Sequence, residues 1–326
     1  FSYMAILSAS ALVACGSRSG EAKTAVAEAP VAEAPAVEFN ADSAYAYVAR
    51  QTEFGPRVPG TDAWRECGAW LAGKLKEAGV ENVTVQRGEA STCDGTSIPL
   101  MNISGQIRPD AGRRVLLLAH WDSRPWADHD GDSANRRKAI DGANDGASGV
   151  GVILEIARAL KGQAGNLGVD ILFVDGEDYG PHADSGKDGD DCWALGTQYW
   201  LAEPTLDLGA VRAAILLDMV GGRDARFHKE YFSNLYAREV VDKVWKAAKA
   251  AGHGDRFDAA VGGAITDDHV YFLREGVAAI DIIESANPAT GSFNPTWHTL
   301  DDNISNIDRA TLGAVGETVM RALRDF

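Results

Sequence analysis

The sequence is short of cysteine, of basic residues relative to acidic ones, and of long apolar runs. Only four of its 326 residues are cysteine, and none are spaced C-x-x-C, so structural roles are favoured over a thiolate metal or redox motif. Lys and Arg number 31 against 47 Asp and Glu, giving a net charge of −16. Binding to a phosphate backbone needs clustered basic residues, so no nucleic-acid partner is expected. What remains is the composition of a globular protein.

The first fifteen residues resemble the end of a lipoprotein signal peptide. The apolar run Phe1–Ala14 is shorter than the ~20 residues of a membrane span and leads directly into Cys15, the residue expected to carry the lipid. The chain begins without Met, so we expect the basic start of this signal to be truncated. We therefore predict an exported protein, periplasmic or anchored in the outer membrane, whose membrane contact is the lipid at Cys15.

Residues 16–40 are rich in Ala, Glu and Pro, and Val26–Pro30 is repeated at once as Val31–Pro35, which predicts a tether. Three cysteines remain beyond Cys15. They lie in a predicted helix, a turn-rich loop and an acidic loop: Cys67, Cys93 and Cys192. In an oxidising compartment a Cys67 to Cys93 disulfide is one expectation, and the sequence leaves open whether the two pair.

Residues 41–326 are predicted to form one catalytic domain, because short apolar runs alternate there with helical patterns. Two helices come first, with Thr61-Asp62 as a cap and Gly79 as a stop. The predicted strands are Leu100–Ile107, Val115–Trp121, Val169–Val174, Ala213–Leu217 and Val277–Ile283. The predicted helices are Ala41–Gln51, Trp64–Lys76, Ala147–Leu160, Leu195–Ala202, Asn234–Ala251, His269–Arg274 and Asp308–Arg324. This alternation predicts a single-domain, three-layer α/β/α fold with a mainly parallel central sheet.

Acidic residues and histidines follow the predicted strands, where the function of such a fold is expected. His120-Trp121-Asp122, Asp175–Asp178 and Asp218 each follow one apolar run, Gly142–Gly146 opens a helix, and His298 lies near the end of the chain. Carboxylates and neutral imidazoles are the ligands that Zn²⁺ takes without thiolate. A lone Asp after a strand is commonly a cap or a loop residue. The ordered set as a whole predicts a metal site.

Taken in order, these motifs resemble the M28 metallopeptidase clan, and most of all its zinc-dependent glutaminyl cyclase branch of the animal type found in bacteria. Asp267-Asp268-His269, Trp297–Asp302 and the segment Phe54–Gly60 extend the resemblance from about residue 41 to the end of the chain. It implies that Asp145, Asp178 and His298 hold one Zn²⁺ ion. It also implies that His120 and Asp218 match the second zinc position of aminopeptidases.

The same resemblance implies roles at the substrate. Glu177 matches the general acid and base, and Asp267 matches an acid that helps position the reacting amide. In the mechanism we expect, Asp218 helps to hold that amide in place. Phe293 and Trp297 match aromatic residues of the substrate pocket. The family has a further aromatic residue shortly after the acidic pair, and its counterpart is not evident here, where the chain reads Tyr179-Gly180-Pro181-His182-Ala183.

The predicted function is zinc-dependent conversion of an N-terminal glutamine of peptides or proteins to pyroglutamate with release of ammonia, by a monomer. The alternative is a dizinc aminopeptidase in which Asp145 bridges two metals and Glu177 activates water. A third reading is a metal-free binding lipoprotein that kept the fold and lost the chemistry. Four further histidines are expected to be solvated: His129, His182, His228 and His253.

Overall fold

The computed structural model of the chain describes residues 38–187 and 189–326. The predicted signal peptide, Cys15 and the tether up to residue 37 lie outside the described residues. The last residues of the predicted tether already pack on the domain, because Phe39 is buried and the Asn40 side chain accepts a hydrogen bond from Ser43 N at the start of the first helix. Within the described ranges, no helix has the length and apolarity needed to cross a membrane.

Eight α-helices and eight strands make up the described residues. The helices are α1 (Ala41–Thr52), α2 (Asp62–Glu77), α3 (Ala147–Leu160), α4 (Leu195–Ala202), α5 (Tyr231–Tyr236), α6 (Arg238–Ala251), α7 (Asp268–Arg274) and α8 (Arg309–Ala322). The strands are β1 (Glu81–Ser91), β2 (Ser97–Ile107), β3 (Arg113–His120), β4 (Leu167–Val174), β5 (Val211–Leu217), β6 (Phe227–Lys229), β7 (Phe257–Val261) and β8 (Ala279–Ile282).

Six strands form the central sheet in the order β1-β2-β4-β3-β5-β8. The four strands β4, β3, β5 and β8 are parallel, and β2 runs antiparallel to both β1 and β4. The predicted α/β/α fold with a mainly parallel sheet is confirmed. The carboxyl ends of β4, β3 and β5 therefore lie side by side, which places the residues that follow them at one edge.

Both faces of the inner strands of the sheet are buried, and β3 shows why such a strand is apolar throughout. Val115 and Leu117 pack into a large core with residues of α1, α2, α3, α6 and α8, whereas Leu116 and Leu118 pack into a second core with Trp200 of α4 and Phe272 of α7. Successive side chains of a strand point to opposite faces, so a strand covered on both sides has no polar alternation.

One predicted helix differs from the structure, and another is nearly correct. The predicted helix Asn234–Ala251 is wrong, because α5 and α6 are separate and Ala237 between them has φ −130°. Glu230 starts α5 early by accepting hydrogen bonds from Phe232 N and Ser233 N, a helix N-cap. The predicted α2 boundaries are nearly correct, with the Thr61 side chain capping Trp64 N and Gly79 at φ +78° ending the helix.

The expected Cys67 to Cys93 disulfide is wrong. Cys93 in the β1–β2 loop is bonded to Cys192, across 99 residues of sequence, and Cys67 is a free thiol. Cys67 points from α2 into the large core, where it is fully buried. It therefore serves as a small apolar side chain, and burial raises the pKa of its thiol to about 12.

Candidate active site

Three neighbouring strands deliver polar side chains to one edge of the sheet. His120 is the last residue of β3, Asp175–Asp178 follow β4, and Asp218 follows β5. The order β4-β3-β5 makes these segments spatial neighbours, so His120 Nε2 lies 3.2 Å from Asp218 Oδ1. Sequence spacing alone did not determine this arrangement, because it depends on which strands are adjacent.

The turn before α3 adds Asp145 to this edge. Gly146 follows it with φ +92°, and a Cβ there would lie 2.6 Å from Asp122 O, so the turn requires glycine. Asp302 fixes the turn from the other side by accepting hydrogen bonds from Asn144 N (2.7 Å) and Asp145 N (3.1 Å). Burial, together with the nearby charge of Asp145, raises the pKa of Asp302 to about 8.

Asp145, Asp178 and His298 converge as their sequence positions predicted. One ligand atom from each lies within 4.8 Å of the others, and His298 Nε2 is 3.1 Å from Asp178 Oδ1 and 3.6 Å from Asp145 Oδ2. All three side chains are buried, and Asp178 Oδ2 has no hydrogen-bond partner. Two carboxylates and one imidazole at such distances fit a zinc ion that keeps a position open for substrate. We call these three residues the metal side.

His298 is poised as a neutral ligand. Burial and the charge of Arg124 lower its pKa to about 4. The ring is therefore neutral at neutral pH, with one of its two nitrogens unprotonated. Its backbone has φ +53°, in the left-handed region that residues with a side chain seldom adopt. Strain of this kind persists where surrounding structure fixes it, and here His298 O accepts a hydrogen bond from His129 N.

Arg124 connects the metal side to its surroundings, and sequence reasoning missed it. The fully buried guanidinium forms a bidentate pair with Asp128 (2.8 and 2.6 Å) and donates to Asp178 O at 3.0 Å. Asp128 Oδ1 in turn lies 3.4 Å from His298 Nδ1. A carboxylate behind a metal-ligating histidine fixes the orientation of the ring. Although burial opposes it, Arg124 and His298 lower the pKa of Asp128.

Glu177 lies beside the metal side and is held by its backbone. Asp122 accepts hydrogen bonds from Glu177 N and Asp178 N, both at 3.2 Å, which aims the adjacent side chains. Glu177 itself is buried, and burial together with the charge of Asp267 raises its pKa well above the usual range. A carboxyl group with a raised pKa can carry a proton near neutral pH, as a general acid and base must.

A second set of carboxyl groups lies near Glu177. These groups are buried, and few hydrogen-bond donors reach their oxygens. Asp267 caps α7 by accepting from Asp268 N, and burial raises its pKa to about 6. Asp268 and Asp281 are fully buried, and neither oxygen of either residue has a hydrogen-bond partner. Burial raises the pKa of both well above the usual range. We call Glu177, Asp267, Asp268 and Asp281 the acid side.

His269 is buried next to the acid side and lies between Glu230 and Asp281. Its Nε2 lies 3.0 Å from Glu230 Oε2, and its Nδ1 lies 3.9 Å from Asp281 Oδ2. Although burial opposes it, the pairing with His269 lowers the pKa of Glu230 to about 2. Neither Glu230 nor Asp281 was singled out from the sequence. Their only signal was an acid inside or beside an apolar run.

His120 and Asp218 form the group predicted as a second metal position. With Asp145 they place one ligand atom each within 4.8 Å, and His120 Nε2 is 3.0 Å from Asp145 Oδ1. Although burial opposes it, hydrogen bonds to Asp122, Asp145 and Asp218 raise the pKa of His120 well above the usual range. Asp145 therefore belongs to both groups, as a bridging ligand would.

Aromatic side chains enclose His298. Trp297 stacks on its ring with centroids 3.7 Å apart, and Phe293 lies 4.7 Å from Trp297. Trp193, which follows the disulfide-bonded Cys192, has its ring stacked 6.4 Å from that of His298. Sequence reasoning missed this residue, which lies 15 positions after Asp178.

The four histidines that were expected to be solvated differ in how exposed they are in the structure. His182 is buried, so that prediction is wrong: its ring packs 5.8 Å from Trp126, and Nδ1 accepts a hydrogen bond from Asp184 N. His129 is exposed, while His228 and His253 are half-buried.

The fold and site can now be compared with known proteins. The family profile of Peptidase family M28 matches residues 102–323, so the chain belongs to that family. Among solved structures, it is 48% identical to the glutaminyl cyclase of Bacteroides thetaiotaomicron bound to N-acetylhistamine, with a TM-score of 0.86 over 89% of this chain and 99% of that one. It is 46% identical to a Zn-dependent exopeptidase of Parabacteroides distasonis, with a TM-score of 0.86 over 89% of this chain and 100% of that one.

Among curated proteins, it is 28% identical over 247 residues to the glutaminyl-peptide cyclotransferase of Bos taurus, covering 65% of this chain and 62% of that protein. The match thus spans about three fifths of the length of this relative. The similarity defines a family in which both cyclases and exopeptidases occur, and the site chemistry must distinguish between them.

Proposed function

We propose that the protein is a zinc-dependent glutaminyl-peptide cyclotransferase, converting an N-terminal glutamine to pyroglutamate and ammonia. The observation that carries the proposal is the acid side: Glu177 is buried against Asp267, and both have raised pKa values. Cyclisation moves protons within one substrate and needs no external water. Groups that hold and donate protons suit this reaction, and the 48% identical solved cyclase supports it.

The metal side would hold the zinc ion through Asp145, Asp178 and His298. Zinc bound there supplies Lewis-acid polarisation of the side-chain amide carbonyl of the glutamine. Glu177 takes a proton from the substrate α-amine as its nitrogen attacks the side-chain carbonyl carbon. The same proton then passes from Glu177 to the departing amide nitrogen, which leaves as ammonia while the ring C–N bond remains.

Asp267 and Asp218 would position the amide. Protonated Asp267 can donate a hydrogen bond, and its pKa of about 6 allows exchange of that proton near neutral pH. Trp297 and Phe293, with Trp193 across His298, would form the walls of a pocket for one short side chain. Such walls exclude water, which would otherwise compete for the same hydrogen bonds.

A dizinc aminopeptidase is the second candidate, favoured by the His120, Asp145 and Asp218 group and by the similar exopeptidase structure. The decisive experiment incubates zinc-loaded protein with Gln-initiated and Leu-initiated peptides and measures ammonia and free amino acid separately. Ammonia from Gln peptides without free amino acid supports the cyclase. Free leucine would replace it with the aminopeptidase, and zinc content near zero with neither product would support a binding protein.

Export to the periplasm or outer membrane, with Cys15 as lipid anchor, belongs to the same proposal. The Cys93–Cys192 disulfide supports it, since disulfides persist in oxidising compartments. The partners would be peptide or protein N-termini reaching a monomeric enzyme. Mass spectrometry of the mature protein tests the anchor directly through the mass of a lipidated Cys15.

A further inference from the structure

A second cavity opens beside the candidate active site, and no function proposed above uses it. Its volume is about 210 Å³, and Trp126, Tyr179 and His182 contribute its ring side chains. It shares Pro181, His182 and Lys187 with the cleft that contains His298 and Trp297. The two cavities are therefore adjacent, with these three residues between them.

The chain itself leads from the zinc ligands into this cavity. Asp178 of the metal side is followed directly by Tyr179, and Arg124, which contacts Asp178, is followed two residues later by Trp126. An extended peptide advances about 3.3–3.6 Å per residue. Because the cleft and the cavity share lining residues, we expect a substrate whose first residue occupies the cleft to bring its second or third residue to the cavity.

The cavity presents rings arranged to hold another ring. Trp126 and Tyr179 meet edge to face with centroids 5.6 Å apart, and His182 tilts against Trp126 at 5.8 Å. Edge-to-face and offset arrangements of this kind favour an added aromatic side chain. Tyr179 is also supported from behind by the small cluster of Ile98, Leu100 and Leu195, so this wall has a fixed backing.

Charge at the rim does not select for either sign. Of the described residues that line the cavity, Arg137 and Lys187 are cationic, whereas Asp94 and Asp184 are acidic. Lys187 Nζ also donates to Cys93 O, which holds it at the disulfide edge. With balanced charge at the opening, the rings determine which side chain gains most from entering.

We propose that this cavity is a substrate subsite for an aromatic side chain at the second or third position of the peptide. This inference rests on the proposed function, because it requires that the N-terminal residue occupies the cleft. Burying a large aromatic side chain is worth about 10- to 100-fold in binding. The gain should appear in kcat/KM, because the contact is absent from the free enzyme and free substrate and present in the transition state.

The test compares cyclisation of Gln-Gly-Gly, Gln-Phe-Gly and Gln-Gly-Phe amides by the zinc-loaded enzyme, with ammonia as readout. We expect kcat/KM for one of the Phe peptides to exceed that of Gln-Gly-Gly by about tenfold or more. Equal values for all three overturn the subsite while leaving the cyclase intact. Failure to release ammonia from any of them counts against the proposed function instead, so the two failures are distinguishable.

Variants locate the preference. In Trp126→Leu, and separately in Tyr179→Leu, the ratio of kcat/KM between the preferred Phe peptide and Gln-Gly-Gly should fall to about two or less. The ratio is the readout because Trp126 lies near Arg124 and its loss could lower all rates. Zinc content is measured for each variant. Tyr236→Leu, at a ring that is 66% exposed on α5, is the matched control and should keep the ratio. An unchanged ratio in both cavity variants would place the preference elsewhere.

Discussion

The metal side and the acid side of the site both contain buried carboxyl groups, but the surroundings of those groups differ. On the metal side, Asp178 faces the buried guanidinium of Arg124, and the supporting carboxylate Asp128 accepts two hydrogen bonds from the same group. On the acid side, Asp268 and Asp281 have no donor on either oxygen.

This difference in surroundings determines whether each side binds a metal ion or a proton. A buried carboxylate without a partner is costly when ionised, so it retains a proton. The pKa of Asp178 is raised to about 7, primarily by burial and against the effect of Arg124, whereas burial raises that of Asp281 well above its usual range. One side is prepared to exchange its proton for a metal near neutral pH. On the acid side, Asp268 and Asp281 keep their protons, whereas Asp267, with a pKa of about 6, can pass one on.

The largest expected effect comes from replacing the two carboxylates of the acidic pair, Glu177 and Asp178, one at a time. Glu177→Gln should keep the fold and the zinc but lower turnover by about 10²- to 10⁴-fold, because an amide of the same size cannot carry the proton. Asp178→Asn should lose zinc and activity together, since it weakens a ligand. Metal analysis and steady-state kinetics on both variants check the division.

If Glu177→Gln lost its zinc while Asp178→Asn retained it, the two roles would be reversed. Near-normal turnover in Glu177→Gln would remove the proposed proton carrier. The substrate-binding constant of Glu177→Gln serves as the internal control and should change little, which places the loss on the chemical step.

Much of the fold was predictable because the inner strands of its central sheet are buried on both faces. The apolar run of β3 has no other explanation in a protein of this composition, and the helix bounds of α3 and α4 were predicted to the residue. The strands β1 and β7 were missed because they are largely exposed and carry no apolar run. Edge strands of this kind are stabilised by pairing with a neighbour, which a single sequence does not display.

The site residues that directly follow strands were predictable from the sequence. The loop residues that hold them in place were not. Arg124 and Asp128 lie in a loop whose sequence suggests only solvated charge, yet both are buried. Their importance depends on His298, which is distant in sequence and reaches them through the fold. The disulfide partner of Cys93 was missed for the same reason, since Cys192 approaches it only after the acidic loop folds back.

The next largest effect tests the support of the metal side. Asp128→Asn should weaken zinc binding by about 10- to 100-fold, because the carboxylate behind His298 and its pair with Arg124 are both lost. Competition with a zinc chelator at fixed pH measures the change. Asp132→Asn, at an exposed residue of the same loop, is the matched control and should bind zinc as the parent does. Equal affinities in all three proteins would show that Asp128 serves only the packing of the loop.

A smaller effect separates the two sides by pH. Zinc must displace the proton of Asp178, whose pKa burial raises to about 7, so affinity should fall by at least about tenfold per unit as pH drops from 7 to 5. Burial also raises the pKa of Asp145, which adds to the slope. His298 adds no slope there, because its pKa of about 4 leaves it neutral. Chelator competition at pH 5, 6, 7 and 8 measures the slope. Glu177→Gln should show the same slope, and an affinity independent of pH would contradict the assignment of Asp178.

The smallest expected effect on activity is at Asp281, and it tests whether the acid side keeps its protons. Burial and the charge of Asp267 raise the pKa of Asp281, and a protonated Asp281 can donate a hydrogen bond to Asp267. The amide of Asp281→Asn donates in the same place, so kcat should change by less than about tenfold, the net worth of one hydrogen bond.

The pH dependence of the free energy of unfolding is a more sensitive test of Asp281→Asn than its activity. A folded-state pKa above the unfolded value means that folding takes up a proton, so the contribution of Asp281 to stability falls as pH rises above about 4 and continues to fall up to its folded pKa. Asn does not titrate and lacks this loss. Denaturant unfolding of the zinc-saturated proteins should therefore show Asp281→Asn gaining on the parent as pH rises from 4 to 8, by up to about 1.4 kcal/mol per pH unit. A difference that stays constant with pH would mean that Asp281 is ionised in the folded protein, and the contrast between the two sides would then fail at this residue.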